Sequence, residues 1–188
     1  MNIIPVIEIN NKKIQSSELL KKLNEDDLLY VIDIDGIKKN KSNLDIYQKL
    51  SKKYQLFIDN APRTLGDIVD VFMAGANNIT LRKTFYTNIT LDSIREITEN
   101  KIYANIELYD LNEFYNAFFF EGFNGLINFH SRETLENDFK KMEMIKNIFT
   151  KNKSYVYENN KKNIEYWNKF KPECFLVDIS RYWDFKKI

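Results

Sequence analysis

The most regular feature of the chain is a series of short runs rich in β-branched and other apolar residues. Each run ends in a polar or acidic residue and is followed by a turn and an amphipathic helical stretch. The polar ends recur every 20 to 30 residues, which is enough for one strand, one helix and two short loops. Eight runs fit the pattern: residues 3–8, 28–33, 55–59, 79–82, 102–107, 125–128, 154–158 and 175–178. The pattern predicts eight consecutive β-α units.

Apolar residues at helical spacing lie between the runs. The clearest set follows Thr64, which with Asp67 has the spacing of a capping box, and therefore predicts a helix. A second set with full helical spacing and a third, looser set after Ser131 predict further helices. We expect all three sets to pack in the core and not to form a cofactor site. They are Leu65, Ile68, Val69, Phe72 and Met73; Leu111, Phe114, Tyr115, Phe118 and Phe119; and Leu135, Phe139, Met142, Ile145 and Phe149.

Near-continuous apolar strands that alternate with helices are typical of a parallel sheet covered by helices. Eight units predict an α/β fold, a compact (β/α)8 TIM barrel with short loops that occupies residues 1–188 as one domain. The last helix should be reduced or missing, because few residues follow the last run. An open doubly wound parallel sheet is the alternative, since periodicity alone does not distinguish the two.

Composition narrows the classes of function. The chain has 188 residues with 28 Lys and Arg against 27 Asp and Glu, so its net charge of +1 argues against a nucleic-acid-binding protein. Cys174 is the only cysteine, which excludes an intramolecular disulfide and fits a reducing compartment. The sequence has neither a signal-like start nor a long apolar stretch, so we expect a cytoplasmic protein without a membrane partner.

The carboxyl ends of parallel strands meet at one rim, where α/β proteins bind their ligands. Glu8 and Glu107 end the first and the fifth run and would lie opposite each other in an eight-stranded barrel, where they could act as general base and general acid. Substrate-binding candidates surround them. The candidates are Asp33, Asp35, Asp59, Arg63, Arg82, Lys83, Asn128, His130 and Asp178, and Glu158 also ends a run.

Each rim residue also has an ordinary structural explanation. A strand-end carboxylate can cap a helix or pair with a cation, and Arg63, Arg82 and Lys83 can either hold an anion or pair with those acids. His130 is the only histidine and is more typical of a hydrogen-bonded strand-end residue than of a metal ligand. Motifs for nucleotide hydrolysis, dinucleotide binding and serine chemistry do not occur. A hard cation held by Glu8, Asp33, Asp35 and Glu107 is the least favoured alternative.

Several segments together resemble one family. Residues 4–9 (Ile-Pro-Val-Ile-Glu-Ile) and 30–36 (Tyr-Val-Ile-Asp-Ile-Asp-Gly) resemble the first two strands of the histidine-biosynthesis barrels HisA and HisF. Residues 56–64, which include Arg63, and the small residues 74–76 continue the resemblance, and residues 177–184 extend it weakly to the last strand. The chain is most similar to the orphan HisA-related proteins of methanogenic archaea.

The resemblance implies a cofactor-free aldose–ketose (Amadori-type) isomerase, with Glu8 as base and Glu107 as acid where the family has aspartates. The substrate would be a small phosphorylated sugar or ribosyl-carboxamide, and no metal is implied. The glycine-rich phosphate turns of the family are replaced here by residues 59–62 and 158–161. The alternative is therefore an inactive barrel that serves as a binding or regulatory partner. The sequence leaves a homo-oligomer open.

Overall fold

The computed structural model describes residues 1–85, 89–107 and 120–187. All strands except β2 run parallel, and β9 pairs with β1, with Val6 in register with Asp178. This pairing closes the sheet into an eight-stranded barrel, so the TIM-barrel prediction is confirmed and the open-sheet alternative is wrong. The strands are β1 (Ile3–Asn10), β2 (Lys13–Ile14), β3 (Leu28–Asp33), β4 (Gln55–Asp59), β5 (Ala76–Leu81), β6 (Lys101–Asn105), β7 (Gly125–Asn128), β8 (Ser154–Tyr157) and β9 (Cys174–Asp178).

The helices around the barrel are short, which explains how the fold fits into so few residues. The described helices are α1 (Ile34–Lys39), α2 (Leu44–Leu50), α3 (Leu65–Met73), α4 (Leu91–Arg95), α5 (Arg132–Glu136), α6 (Phe139–Lys151), α7 (Ile164–Asn168) and α8 (Ile179–Phe185). Between β1 and β3 the chain forms the antiparallel strand β2 and a 3-10 helix (Ser17–Lys22) in place of an α-helix. None of the described helices is long and apolar enough to span a membrane.

The helix predictions are confirmed in part. Thr64 and Asp67 form the expected capping box at the start of α3, and a reduced last helix is present as α8. The stretch after Ser131 contains two helices because the Asp138 side chain accepts a hydrogen bond from the backbone of Lys141 and so begins α6. The set Leu111 to Phe119 lies outside the described residues.

The prediction that all the apolar helical positions pack in the core is wrong for some of them, which are exposed to solvent. Ile68 of α3 is fully buried, but three of the five positions in that set lie on the outer side of the helix, and so does Phe139 of α6. A helix that contacts the barrel along one side buries only a narrow stripe, so the wider apolar set extends into solvent. The exposed residues are Leu65, Val69, Met73 and Phe139.

Aromatic rings fill the interior of the barrel. Phe57 lies between two tyrosines, with its ring centroid 4.7 Å from that of Tyr30 and 4.4 Å from that of Tyr103. Tyr155 continues the stack, 5.3 Å from Tyr103 in an edge-to-face arrangement. Gly125 of β7 provides the space, since a Cβ atom there would lie 3.0 Å from the rings of both Tyr103 and Tyr155. Polar chemistry is thereby restricted to the layer above the rings.

We predict that Gly125→Ala lowers the free energy of unfolding by about 1 kcal/mol, because overpacking against two buried rings outweighs the entropy gained by removing a glycine. Urea unfolding measures the change. Gly66→Ala is the matched control, because the nearest atom to its new Cβ would be Thr64 Oγ1 at 3.6 Å and a helical alanine is favoured by about 1 kcal/mol. Equal effects of the two substitutions would show that the interior rings can move aside.

Candidate functional site

Side-chain alternation divides the strand-end residues into two sets. Residues such as Val6, Phe57 and Tyr103 belong to the interior cluster, and the positions that follow them at intervals of two point towards the barrel mouth. The inward set is Glu8, Asp59, Arg82, Glu107 and Asp178. The outward set is Asp33, Asn128 and Glu158. Each of them comes two residues after a buried strand residue that packs between the barrel and its helices.

The strongest polar interaction in the mouth joins Asp59 of β4 to Arg82, which follows β5. Arg82 Nε donates to Asp59 Oδ1 at 2.9 Å and Nη2 to Oδ2 at 2.7 Å, and the Asp59 side chain is fully buried. Burial acts to lower the pKa of Arg82, but Asp59, together with Tyr30 and Glu107, raises it, and the pKa lies above its usual value. Tyr30 donates a longer bond of 3.3 Å to Asp59 and shares one of 2.9 Å with Thr80. Arg82 is thus already engaged by a carboxylate of its own chain.

Glu107 lies two residues beyond β6 and is held by the turn after β5. Its Oε2 atom accepts hydrogen bonds from the backbone N–H of Thr84 at 2.9 Å and from the Thr84 hydroxyl at 2.6 Å. Its side chain is nearly buried, and its charge contributes to the raised pKa of Arg82. These contacts fix the position of the carboxylate and leave its second oxygen without a hydrogen bond to any described residue.

Glu8 occupies the opposite side of the mouth. Among the described residues, its half-buried carboxylate makes neither a hydrogen bond nor an ion pair. It lies near Tyr157 of β8, whose pKa is raised by burial, with further contributions from Asp178 and Glu8. Asp178 caps α8, where its Oδ1 accepts from the backbone of Ser180 at 2.8 Å. Glu8 is therefore the mouth carboxylate with the least structural engagement.

Asp33 and Asp35 lie outside the barrel mouth. Asp33 is completely buried, caps α1 through the backbone of Gly36, and accepts hydrogen bonds from Asn43 and Tyr47. Asp35, inside α1, accepts from Lys39 Nζ at 2.8 Å and from the backbone of Lys12 at 2.9 Å. The substrate-binding roles predicted for these two residues do not fit this geometry, because their oxygens tie α1 to α2 and to the turn after β1.

Asn128 and His130 form a local turn after β7. Asn128 Oδ1 accepts from the backbone N–H of His130 at 3.1 Å, and His130 Nε2 lies 3.0 Å from the carbonyl oxygen of Ile106. Burial lowers the pKa of His130, so the neutral ring donates to that carbonyl at pH 7. The outward-facing Glu158 accepts from Trp167 Nε1 at 2.8 Å. All three residues have structural partners.

Of the remaining predicted anion contacts, Arg63 lies in the turn after β4. Its Nη2 donates to the carbonyl oxygen of Ile37 at 3.2 Å, and its guanidinium lies 5.0 Å from the centre of the Phe85 ring. Lys83 is exposed in the turn after β5. The contacts of Arg63 described here do not include Glu8.

The four carboxylates proposed for a hard cation do not converge. Asp33 and Asp35 are held around α1, whereas Glu8 and Glu107 lie at the mouth on different strands. Within the described part of the chain, no group of three or more His, Cys, Asp or Glu side chains is placed to hold a metal ion. The cation hypothesis is therefore not supported by the arrangement of these residues.

Sequence reasoning missed a polar groove at the carboxyl ends of β8 and β9. It has a volume of about 370 Å³ and is lined by two exposed cations, Lys161 and Arg181, and by one exposed acid, Asp184. Asn159, which lines the groove, hydrogen-bonds to Tyr157 and accepts from the backbone of Asp178 at 2.7 Å. The position of Lys161 after the seventh parallel strand was the available signal, since barrels often bind phosphate after their last two strands.

Comparisons with known proteins support the fold. No protein-family model and no curated protein matches the sequence. Among solved structures, an HpcH/HpaI aldolase from Desulfitobacterium hafniense is similar with a TM-score of 0.58 at 7% identity, over 94% of this chain and 86% of that one. Yersinia pestis DHPS, with a pterine-sulfa conjugate, gives 0.58 at 12% identity over 96% and 89%. Thermus thermophilus dihydropteroate synthase gives 0.55 at 10% identity over 94% and 87%. At these identities the likeness shows the barrel fold alone.

We predict that Arg82→Gln lowers the free energy of unfolding by about 3 kcal/mol, because Asp59 is left buried without its cation. Asp59→Asn combined with Arg82→Gln should cost less than Arg82→Gln alone, and urea unfolding measures both. Arg132→Gln is the control, since its 2.8 Å pair with Glu136 is exposed and worth less than about 1 kcal/mol. Equal losses for Arg82→Gln and Arg132→Gln would contradict a buried pair.

From the contacts of Asp35 we predict how the free energy of unfolding depends on pH. The Lys39 ammonium, with the backbone of Lys12, holds the pKa of Asp35 well below its usual value of 3.8. A carboxyl group with a depressed pKa stabilises the fold above its unfolded-state pKa and loses that contribution as the pH falls through its folded-state pKa. The stability difference between wild type and Asp35→Asn should therefore be constant from about pH 8 to 5 and shrink below about pH 4. A difference that does not change with pH would contradict this assignment.

Proposed function

We propose that the chain is a divergent HisA-like barrel enzyme, a cofactor-free aldose–ketose isomerase that acts on a small phosphorylated sugar or ribosyl-carboxamide. The proposal rests on one observation above all. Glu8 lies in the first parallel strand of a closed eight-stranded barrel and Glu107 lies two residues after the fifth, both at positions that alternation directs inward at the carboxyl end. A small substrate between them would have a carboxyl group on each side.

The two carboxylates suit different roles. An Amadori-type isomerisation needs an acid that protonates the ring oxygen as the sugar ring opens, and a base that removes the proton from C2. Glu8 is the better base, because among the described residues no hydrogen bond or ion pair competes for its oxygens. The acid role of Glu107 follows from the HisA resemblance, and Thr84 holds one of its oxygens in place while the other has no hydrogen bond to a described residue and can face the substrate.

The phosphate end of the substrate fits the groove after β8 and β9. Lys161 and Arg181 supply positive charge there, in place of the glycine-rich backbone turns of the HisA family. Asn159 joins the groove to Tyr157, and Tyr157 lies beside Glu8. A sugar phosphate held in the groove would therefore have its carbon chain on the Glu8 side of the mouth.

The alternative is an inactive HisA/HisF-related barrel that serves as a binding or regulatory partner. It is favoured by the hydrogen bonds that polar groups at the mouth already make within the chain, since Arg82 pairs with Asp59 and Glu107 accepts from Thr84. The aromatic stack below them leaves the interior filled. This alternative predicts that Glu8 has no catalytic consequence.

The proposal is tested by incubating the protein in D₂O with ribose 5-phosphate, glucose 6-phosphate and the ribosyl-carboxamide substrate of HisA. ¹H NMR then measures the exchange of the C2 proton of each compound. We expect exchange with at least one of them, and a loss of about 10²-fold or more in Glu8→Gln, because base catalysis contributes that much. Glu107→Gln should slow product formation. Lys161→Ala and Arg181→Ala should raise KM more than they lower kcat.

Glu99→Gln is the control for these variants, because Glu99 is an exposed carboxylate that precedes β6 and so lies at the opposite end of the barrel. It should leave exchange unchanged. Exchange that survives in Glu8→Gln would overturn the assigned base. No exchange with any of the three substrates, together with no shift of Tm on adding them, would favour the inactive barrel.

A further inference from the structure

The outer surface carries a basic groove that the net charge of the chain conceals. The groove has a volume of about 620 Å³ and lies between β2, the 3-10 helix and α2. Its described lining includes no acidic residue, although the whole chain is nearly neutral. Five lysines, which with their floor we term the lysine groove, form its rim: Lys12, Lys13, Lys21, Lys49 and Lys53.

The floor of the lysine groove is apolar, with partly exposed Ile14 and Ile46 beside Leu20 and Leu50. An apolar floor within a cationic rim suits an amphipathic protein segment better than a nucleic acid, because bases need an accessible aromatic face for stacking. The one aromatic residue of the described lining is Tyr54, which is buried and donates its hydroxyl to the Leu20 carbonyl. A concave shape also suits a protruding helix better than a flat membrane.

The same chain exposes a helix of the complementary character. On α3, Leu65, Val69 and Met73 are 36%, 41% and 79% exposed and follow one another at intervals of four residues. Asp70 is exposed beside them, and α3 contains neither lysine nor arginine. We term these four residues the α3 ridge. Its apolar stripe with an acidic neighbour matches an apolar floor with a lysine rim.

We propose that the α3 ridge of one copy docks in the lysine groove of a second copy. The two surfaces are different parts of the chain, so the contact is heterologous and each copy keeps one unused ridge and one unused groove. Such contacts build rings or chains. The nine-residue α3 is only about 14 Å long, so the interface falls in the small, weak class and self-association should need micromolar or higher concentrations.

Sedimentation velocity of the full chain tests the proposal over about 10 to 500 µM protein. We expect the weight-average mass to rise with concentration to at least about 1.5 times the monomer in 0.1 M salt and to fall back towards the monomer in about 1 M salt, where the Debye length shrinks to about 3 Å. A wild-type chain that stays monomeric at the highest concentration in 0.1 M salt would overturn the proposal. So would association that strengthens with salt, which would indicate a purely apolar contact.

Two variants separate the two halves of the contact. The ridge variant, Val69→Ser with Met73→Ser, removes the apolar side chains, and the groove variant, Lys49→Glu with Lys53→Glu, reverses two charges of the rim. Each alone should be monomeric. Phe139→Ser is the matched control for the ridge, since Phe139 is 77% exposed on a different helix, and exposed Lys140→Glu with Lys151→Glu is the control for charge. Both controls should associate like the wild type.

Mixing provides the decisive result, because a ridge variant still has its groove and a groove variant still has its ridge. An equimolar mixture should form a one-to-one dimer and nothing larger, since each pair retains a single intact contact. A mixture that stays monomeric would overturn the proposal, because each unlike pair still has one intact ridge and one intact groove. A groove variant that associates by itself would indicate a contact of ridge with ridge, a ridge variant that does so would indicate a contact of groove with groove, and either result would also overturn the proposal. Circular dichroism and Tm confirm that both variants are folded, and Met73→Ser alone replaces the double ridge variant if that variant is not.

Discussion

The pairing of β9 with β1 is the constraint on which the rest of the molecule depends. It closes eight parallel strands into a ring, and the ring puts the carboxyl ends of all strands around one mouth. Closure also places the first and fifth parallel strands on opposite sides of that mouth. An acid-rich set of strand ends, which an open sheet would spread along an edge, is thereby confined to a space where like charges interact strongly.

The carboxylates at the mouth differ in how many hydrogen bonds and ion pairs stabilise their charge. Asp59 accepts two hydrogen bonds from the half-buried Arg82, Glu107 accepts two from Thr84, and Asp178 caps α8. Glu8 is left with nearby negative charge and, within the described residues, without a donor. A carboxylate in that state is costly to keep unless it serves a purpose such as taking up a proton or a ligand. This contrast, more than the number of acids, is what supports a working site at the mouth.

The fold could be predicted from the sequence, whereas the membership of the site could not. Apolar runs spaced along the chain indicate the strands, and Thr64 with Asp67 marks the start of α3. Asp33 and Asp59 both follow an isoleucine at the end of such a run, yet Ile32, not Asp33, is in register with Asp59. Because barrel strands are apolar on both faces, the pattern does not reveal which strand-end residue points inward. The lysines of the groove come from segments that only the fold brings together.

The unfolding free energies of Glu8→Gln and Glu107→Gln, measured side by side in urea, test the central claim most directly. An engaged carboxylate that accepts hydrogen bonds contributes about 1.5–3 kcal/mol, and an unengaged one near other acids contributes nothing or opposes folding. The account predicts that Glu107→Gln destabilises the barrel by about that amount and that Glu8→Gln is neutral or stabilising. A loss for Glu8→Gln as large as that for Glu107→Gln would show that Glu8 is a structural residue, and would contradict a mouth organised around a free carboxylate.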